Sequence, residues 1–349
     1  MNKDELLIWH EMDGAGDKSI VFIEEICREI TQSYGVKFRF ECMNITPYID
    51  RLNHLEREVE KPDIIFIPQD LVSLEGAKLS EVPEVYKQYM SPKLWNSMKY
   101  KGVQRGVPYL QGNHAVIYYN KNYHEDPPTC FDEIMACHSG GVHKFAMDLK
   151  VAYWVVPFLY TANGDPLLNN QFQLQKDVPQ TVVRQLRRLQ ERNSLYDCEA
   201  ISTMLEEFLA GKIAAMINGE WLYEYLLEHM GEDLGVWELP RLDGQDMRGV
   251  SSSVGVAFPW NSLWGEKQEA LDIFIRYMLS EDVQRRWLEE HRRFPVNPYV
   301  LEHFDRFCRD TNMQNSCRQM QKNYFLKNED CVKVLWKTCD RMLETIRHS

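Results

Sequence analysis

The sequence has no apolar run long enough to cross a bilayer. Apolar runs such as residues 64–67 and 213–217 fall far short of the roughly 20 residues that a membrane-spanning helix needs. The first residues lead directly into a strand-like segment, without the basic region, apolar core and small-residue cleavage site of a secretory signal. We therefore expect neither a membrane span nor an export signal in this sequence.

Positive charge is also in short supply. Lys and Arg number 40 against 52 Asp and Glu, for a net charge of -12. Polyphosphates and anionic lipid head groups need a clustered positive field. We therefore expect no direct binding of nucleic acid.

Motifs that mark a cofactor, a metal or a nucleophile are missing as well. There is no CxxC, no HExxH and no GxSxG. The loop at residues 14–19 lies where a phosphate cradle would, but Asp17 and Met12 stand where that motif requires glycine. We predict no cofactor, no metal and no catalytic residue, although a glycosidase with two carboxylates facing each other across a cleft stays open as an alternative.

The nine cysteines are an odd number scattered over a long chain, which does not resemble a disulfide framework. Structural thiols are the simpler interpretation, and they favour a reducing compartment. As written, the sequence therefore predicts a cytoplasmic location. An extracellular or periplasmic location is the alternative if a signal precedes it.

The chain has the size and composition of a two-lobed globular protein. It has 349 residues, of which 44% are hydrophobic and 26% charged. A single hydrophobic core stops growing near about 250 to 300 residues. We expect two lobes, each with its own core.

Strand and helix patterns alternate along the chain. Apolar or alternating strands are predicted at residues 6–9, 36–42 and 62–67, with a helix from Ser19 that ends before Gly35 and a second one near residues 48–58. This β-α-β-α-β order implies a parallel sheet covered by helices. Further strands are predicted at residues 114–119, 145–147, 213–217 and 250–258.

Five segments stand in an informative order. They are KPDIIF with IPQD (residues 61–70), GVPY with VIYYNK (106–121), PPT with FDEI (127–134), FLAGKIAAM (208–216) and INGEW (217–221). In this order and at these intervals they resemble the extracellular solute-binding proteins of ABC sugar importers, the maltose-binding-protein-like family. The resemblance extends over about residues 5 to 300.

The resemblance implies an α/β protein with the periplasmic-binding-protein type II fold, in which two α/β lobes are joined by a hinge. The implied N-terminal lobe contains residues 1–112 and 260–300, and the C-terminal lobe contains residues 113–259 and 301–349. The chain would cross the hinge near residues 110–115, 257–263 and 299–304.

The same resemblance, residue by residue, implies ligand-binding roles for Asp13, Asp70, Asn113, Tyr153 and Trp221. Glu11 joins them because it lies in the first loop with Asp13. Planar rings cover the C–H faces of a sugar, while carboxylates and amides bond its hydroxyls. Tyr153 and Trp221 could instead be core aromatics. Because Ile67 and Asn113 depart from the maltose-binding member, the resemblance does not imply a maltodextrin ligand.

These observations favour a carbohydrate-binding protein without enzyme activity, whose ligand lies between two lobes. In one hypothesis it delivers the sugar to an ABC permease. The alternative is a cytosolic sugar-sensing domain of a regulator, in which lobe closure changes a fused transcriptional or signalling module. A glycoside hydrolase or transferase in the same cleft is a third hypothesis, since a fold does not settle function.

Overall fold

The computed structural model describes residues 5–12, 17–137, 140–191, 201–328 and 330–347. Within these ranges the chain forms both strands and helices. The strands are β1 (Glu5–His10), β2 (Lys37–Cys42), β3 (Ile64–Pro68), β4 (Lys99–Tyr100), β5 (Val103–Gln104), β6 (Gly106–Gly112), β7 (Ala115–Asn120), β8 (Ala215–Gly219), β9 (Leu234–Trp237), β10 (Val250–Ala257), β11 (Phe294–Pro295) and β12 (Tyr324–Phe325).

The helices alternate with these strands along most of the chain. They are α1 (Ser19–Tyr34), α2 (Ile45–Asn53), α3 (Pro92–Ser97), α4 (Phe131–Ala136), α5 (Val156–Asn163), α6 (Val178–Glu191), α7 (Ile201–Leu209), α8 (Tyr223–Met230), α9 (Gln268–Met278), α10 (Glu281–Glu289), α11 (Pro298–Glu302), α12 (Phe304–Phe307), α13 (Thr311–Lys322) and α14 (Asp330–Arg347).

The chain divides into two compact units, and it passes from one to the other three times. Unit 1 contains Met1–Asn113 and Ser252–Arg309, and unit 2 contains His114–Ser251 and Asp310–Ser349. The first passage lies within the residues expected for the first hinge crossing. The second comes earlier than the predicted 259/260 boundary, and the third comes later than the predicted 300/301 boundary.

Unit 1 is built on a sheet with the strand order β11-β6-β10-β3-β1-β2. β1 pairs in parallel with β2 and with β3, as the alternation of strands and helices predicts. β10 is antiparallel to both of its neighbours, β3 and β6. β3, β1 and β6 therefore all point the same way, and their carboxyl ends share one edge of the sheet.

Helix α1 covers this sheet with a stripe of apolar side chains. Phe22, Ile23, Ile26 and Ile30 on α1 are fully buried, at the three- and four-residue spacing of one helical face. The helix ends where the sequence predicts, because Gly35 adopts a left-handed conformation with φ 76° and donates its N–H to the carbonyl of Thr31.

Unit 2 has a smaller antiparallel sheet with the order β8-β7-β9. One face of this sheet, which includes Ile117 and Ile217, belongs to a core completed by apolar side chains of α5, α6 and α14. The residues that these helices add include Phe158, Leu186 and Leu335. Unit 2 therefore has its own hydrophobic core.

The strand predicted at residues 145–147 is wrong. Phe145, Ala146 and Met147 are fully buried, but only an isolated bridge joins Ala146 to Met216 of β8. These residues are apolar because they are buried in unit 2. Periodicity alone does not distinguish a short buried strand from a buried segment without regular secondary structure.

Strand β10 runs through the second passage between the units without a break. Its first two residues, Val250 and Ser251, pair with β12 in unit 2, whereas Ser252 onwards pair with β6 in unit 1. Because the strand is continuous, no loop signal in the sequence marks this passage.

Across the ranges given above, no helix is both long enough and apolar enough to cross a membrane.

Candidate binding site

Three of the predicted binding residues lie at one edge of the unit 1 sheet. Glu11 follows β1, Asp70 follows β3 and Asn113 follows β6. Since these strands run in the same direction, the three side chains belong to the carboxyl edge of the sheet. Ligands of open α/β sheets bind beyond the carboxyl ends of the strands.

Glu11 lies close enough to two buried tyrosines to affect their ionisation. Burial raises the pKa of Tyr48 and of Tyr109, and the negative charge of Glu11 contributes to both increases. The Tyr48 hydroxyl donates a hydrogen bond of 2.9 Å to the carbonyl of Phe66 in β3. Both tyrosines therefore remain neutral hydroxyl groups beside the Glu11 carboxylate.

Asp70 lies in a 3₁₀ turn, Gln69–Ser73, directly after β3, and its side chain is partly exposed. Ser73 donates its hydroxyl to the Asp70 carbonyl at 3.0 Å. The adjacent Gln69 is fully buried and accepts the backbone N–H of Ser253 at 2.8 Å. The turn is thus fixed to β10, which positions Asp70 at the sheet edge.

Asn113 is the last residue of unit 1 before the first passage and has a left-handed backbone, with φ 38°. Its side-chain Nδ2 donates to the hydroxyl of Ser252 at 2.7 Å. Ser252 is the first residue after the second passage. This amide therefore ties together two of the three connecting segments, a contact that the sequence does not reveal.

Asp13 lies outside the described residues. At the far end of its loop, Asp17 accepts the backbone N–H of Ser19 at 2.9 Å and forms an ion pair of 3.2 Å with Arg293. Arg293 is almost fully buried, and it also donates to the Ser19 hydroxyl at 3.0 Å. The chain that enters α1 is therefore held firmly on unit 1.

Unit 2 brings the two predicted aromatic residues together. The ring centroids of Tyr153 and Trp221 are 6.2 Å apart, and Trp154 lies 5.0 Å from Tyr153 and 6.1 Å from Trp221. A fourth ring, Trp336, lies 6.4 Å from Tyr153. We call these four residues the aromatic cluster.

Three separate elements supply the aromatic cluster. Tyr153 and Trp154 lie in a 3₁₀ turn, Ala152–Val155, before α5; Trp221 lies in a turn, Glu220–Leu222, after β8; and Trp336 lies on α14. Trp154 is buried, whereas the other three rings are partly exposed and pack against the unit 2 core. The cluster is an aromatic surface that is half in the core and half open.

The turn that carries Trp221 depends on a glycine. A Cβ placed on Gly219 would lie 2.2 Å from the Trp221 ring, so only glycine leaves room for the ring to lie over its own backbone. The Gly219 carbonyl accepts the Tyr118 hydroxyl at 2.9 Å, which fixes the turn from the sheet side. This close packing explains the glycine in the INGEW segment.

Sequence reasoning missed Trp154 and Trp336. Trp154 is adjacent to Tyr153, but a single 3₁₀ turn before a helix offers no periodicity that would assign it. Trp336 lies beyond the last recognised segment, in a helix with a buried stripe that includes Leu335 and Cys339. A large aromatic ring at the border of such a stripe is the only available signal.

Unit 1 offers carboxylate and amide groups, and unit 2 offers aromatic rings. Within the described ranges, no group of three or more histidine, cysteine or acidic side chains is placed to hold a metal ion. Carboxylate and amide groups can form hydrogen bonds, and aromatic rings can contact apolar C–H faces.

The comparisons with known proteins agree with this fold. The sequence matches the family of bacterial extracellular solute-binding proteins over residues 25–314. The structure is similar to the GacH receptor of Streptomyces glaucescens, solved unliganded and in complex with acarbose and an acarbose homolog, with a TM-score of 0.85. The identity is 15%, and the match covers 99% of this chain and 93% of that one. A search of curated protein sequences gave no match. The predicted family and the predicted type II fold are confirmed.

Proposed function

This chain belongs to the family of bacterial extracellular solute-binding proteins, and from that premise we propose that it captures a carbohydrate on the aromatic cluster of unit 2. The observation that carries the proposal is the set of partly exposed rings of Tyr153, Trp221 and Trp336. The GacH receptor, which has the same fold, was solved in complex with acarbose.

The geometry of the rings suits a sugar better than a flat apolar ligand. The Tyr153 ring is inclined by 53° to Trp221 and by 35° to Trp336. The three planes therefore form a bent surface, which can follow the changing orientation of successive pyranose rings. Aromatic faces bury the C–H groups of such rings while the hydroxyl groups stay available for hydrogen bonds.

We propose that Glu11, Asp13, Asp70 and Asn113 of unit 1 bond the sugar hydroxyls. Carboxylates accept hydrogen bonds, and the Asn113 amide can both donate and accept. Their places at the carboxyl ends of strands or in the first loop support this role. Each can be tested singly, because they come from different loops.

In the proposed function the protein releases its ligand unchanged to an ABC permease, outside the cytoplasmic membrane. Incubation with a panel of glycans followed by mass spectrometry would reveal any product. Detection of a product would show that the protein is an enzyme and would contradict the proposed function. Cell fractionation of the native host would test the location.

The main experiment is a thermal-shift screen over mono- and oligosaccharides, since a ligand that binds only the native state raises its stability. Calorimetry with the best ligand then compares Trp221→Ala and Trp336→Ala with the wild type. If the ligand covers most of a ring, removing that ring should cost about 1.5 to 3 kcal/mol of binding free energy, at about 25 cal/mol per Å² of buried apolar area. Affinity should therefore fall at least about tenfold.

Trp264→Ala is the matched control. Trp264 is an exposed tryptophan in the turn that follows the carboxyl end of β10. Because β10 is antiparallel to β3 and β6, this turn begins at the opposite edge of the sheet from Asp70 and Asn113, so removal of Trp264 should leave sugar affinity unchanged. Two results would refute the proposal: no sugar shifts the melting temperature while amino acids or peptides do, or both cluster variants fold and bind with wild-type affinity.

A further inference from the structure

We propose that the groove between α6 and α14 of unit 2 is a docking site for an acidic amphipathic helix of a partner protein. The groove has a volume of about 1020 Å³ and is lined by residues of these two helices only. This is a second binding surface, and it does not depend on the proposed capture of a sugar.

The groove is strongly basic in a protein that is acidic as a whole. Its lining residues include four arginines, Arg184, Arg187, Arg188 and Arg341, and a single carboxylate, Glu191. The chain as a whole has a net charge of -12. The local excess of positive charge is therefore a property of this surface, and it favours a negatively charged partner.

Two of these guanidinium groups are available for a partner. Arg184 and Arg341 are exposed, and no carboxylate among the described residues forms an ion pair with either of them. Arg188 differs, because it forms an ion pair with Asp243, and its hydrogen bond lowers the pKa of that carboxyl. An arginine fork that is not yet paired matches the geometry of a carboxylate.

A third guanidinium spans the groove. Arg187 on α6 donates to the backbone carbonyl of Thr345 on α14 at 3.2 Å. This bond joins the two walls directly, so the spacing between the helices does not rely on a ligand. The groove is a preformed surface.

The shape of the groove fits a helix. On α6 the lining residues Arg184, Arg187, Arg188 and Glu191 follow the spacing of one helical face. The lining extends along α6 from Pro179 to Glu191, which at 1.5 Å per residue is roughly 18 Å, or about three helical turns. A partner helix with acidic residues every three or four positions could meet the arginines along this length.

The floor of the groove explains why the partner should be amphipathic. Val183 and Met342 line it, and the aliphatic stems of the arginines add apolar surface along its walls. A partner with an apolar stripe beside its carboxylates would cover this floor, whereas a simple polyanion would not.

The groove is separate from the aromatic cluster although both use α14. Arg341 follows Trp336 by five residues, which places the two side chains about 140° apart around the helix axis. They lie on opposite flanks of the buried stripe that contains Leu335, Cys339 and Leu343. Substitutions in the groove can therefore be tested without touching the ring of Trp336.

The experiment measures the fluorescence anisotropy of a labelled helical peptide of about 15 residues, with glutamates at every fourth position and leucines on the adjacent face. We expect binding at low ionic strength that weakens as salt is added. The double variant Arg184→Glu/Arg341→Glu should raise the dissociation constant at least about tenfold, because attraction becomes repulsion at two positions.

The matched control is Arg28→Glu/Arg248→Glu, which changes the net charge equally at two exposed arginines outside the groove. It should bind the peptide within about threefold of the wild type. If charge reversal lowers the melting temperature, Arg184→Gln/Arg341→Gln replaces it, with a smaller expected loss. The proposal is overturned if the control weakens binding as much as the groove variant. It is also overturned if a scrambled peptide of the same composition, or tripolyphosphate, binds as tightly as the helical peptide.

Discussion

The two units use their large aromatic side chains in different ways. In unit 1, Trp9, Trp95 and Trp287 have no exposed surface, and their indole N–H groups meet no acceptor among the described residues. In unit 2, Trp221 and Trp336 pack against the core but keep part of each ring open. The difference separates aromatic residues that stabilise a fold from those that remain available to a ligand.

The largest expected effect is that of removing a buried ring from unit 1. Trp287 packs edge-on against Phe22, with ring centroids 4.6 Å apart, and contacts Tyr109 at 5.8 Å. Trp287→Ala should cost about 3 to 5 kcal/mol of folding free energy, measured by chemical denaturation. Trp287→Phe should cost much less, because a six-membered aromatic ring is kept and the lost N–H has no acceptor among the described residues. Equal losses in the two variants would contradict this account of the unit 1 core.

The next largest effect tests whether the Trp221 ring of unit 2 is available to a ligand. Gly219→Ala places a Cβ where the Trp221 ring now lies, so the ring must move out of the aromatic cluster. We expect calorimetric affinity for the best sugar of the screen to fall about tenfold, the loss expected when the Trp221 ring is removed. Because the φ of Gly219 is -75°, alanine causes no backbone strain there. Unchanged affinity together with a changed tryptophan fluorescence, which reports that the ring has moved, would mean that the ring does not serve the ligand.

A third test asks whether Asn113, at the carboxyl edge of the unit 1 sheet, stabilises the fold or binds the ligand. Asn113→Ala and Ser252→Ala each remove the same 2.7 Å hydrogen bond, so each should lower the free energy of unfolding by about 1 kcal/mol. Asn113→Ala should cost about 1 kcal/mol more, because alanine tolerates the φ of 38° less well than asparagine. Only Asn113→Ala should also weaken sugar binding, if its amide contacts the ligand. Parallel changes in both properties for both variants would leave Asn113 with a structural role alone.

The smallest expected effect on stability concerns the ion pair between Arg51 and Glu58, which lies beside the Trp9 ring of unit 1. Arg51 lies 4.0 Å above the Trp9 ring and bonds Glu58 at 2.8 Å. The hydrogen bond from Arg51 lowers the pKa of Glu58 below its usual 4.5. Because the folded-state pKa is depressed, the stabilisation is complete at neutral pH and is lost as the pH falls through that value.

Glu58→Gln should therefore reduce stability by less than about 1 kcal/mol at pH 7. In urea denaturation curves the difference from the wild type should vanish in strong acid. A difference that stays constant down to about pH 2 would assign the effect to packing.

The sequence predicts the first half of unit 1 well because its signals are local. The helical spacing of α1, the left-handed Gly35 and the apolar β3 each depend on a few neighbouring residues. The two aromatic positions, Tyr153 and Trp221, came from the family resemblance, and the structure brings them together. What they do for a ligand stays a prediction.

What the sequence does not predict depends on contacts between distant residues. The Asn113–Ser252 hydrogen bond joins positions 139 residues apart, and Trp336 reaches Tyr153 only once α14 has packed on unit 2. The prediction of a strand at residues 145–147 was wrong for a related reason, since a buried segment is apolar whether or not it pairs with a strand. Local patterns report how a segment is buried, but they do not report its partner.

The continuity of β10 also constrains how the protein can fold during synthesis. β10 lies between β6 and β3 in the unit 1 sheet, so these two strands have no neighbour between them until the ribosome has completed residue 257. The whole of His114–Ser251, most of unit 2, emerges first. Contacts that span so much chain slow folding and leave unpaired strand edges exposed in the meantime. Nascent unit 1 should therefore be a substrate for chaperones, and neither unit can be expressed as a simple N-terminal or C-terminal fragment.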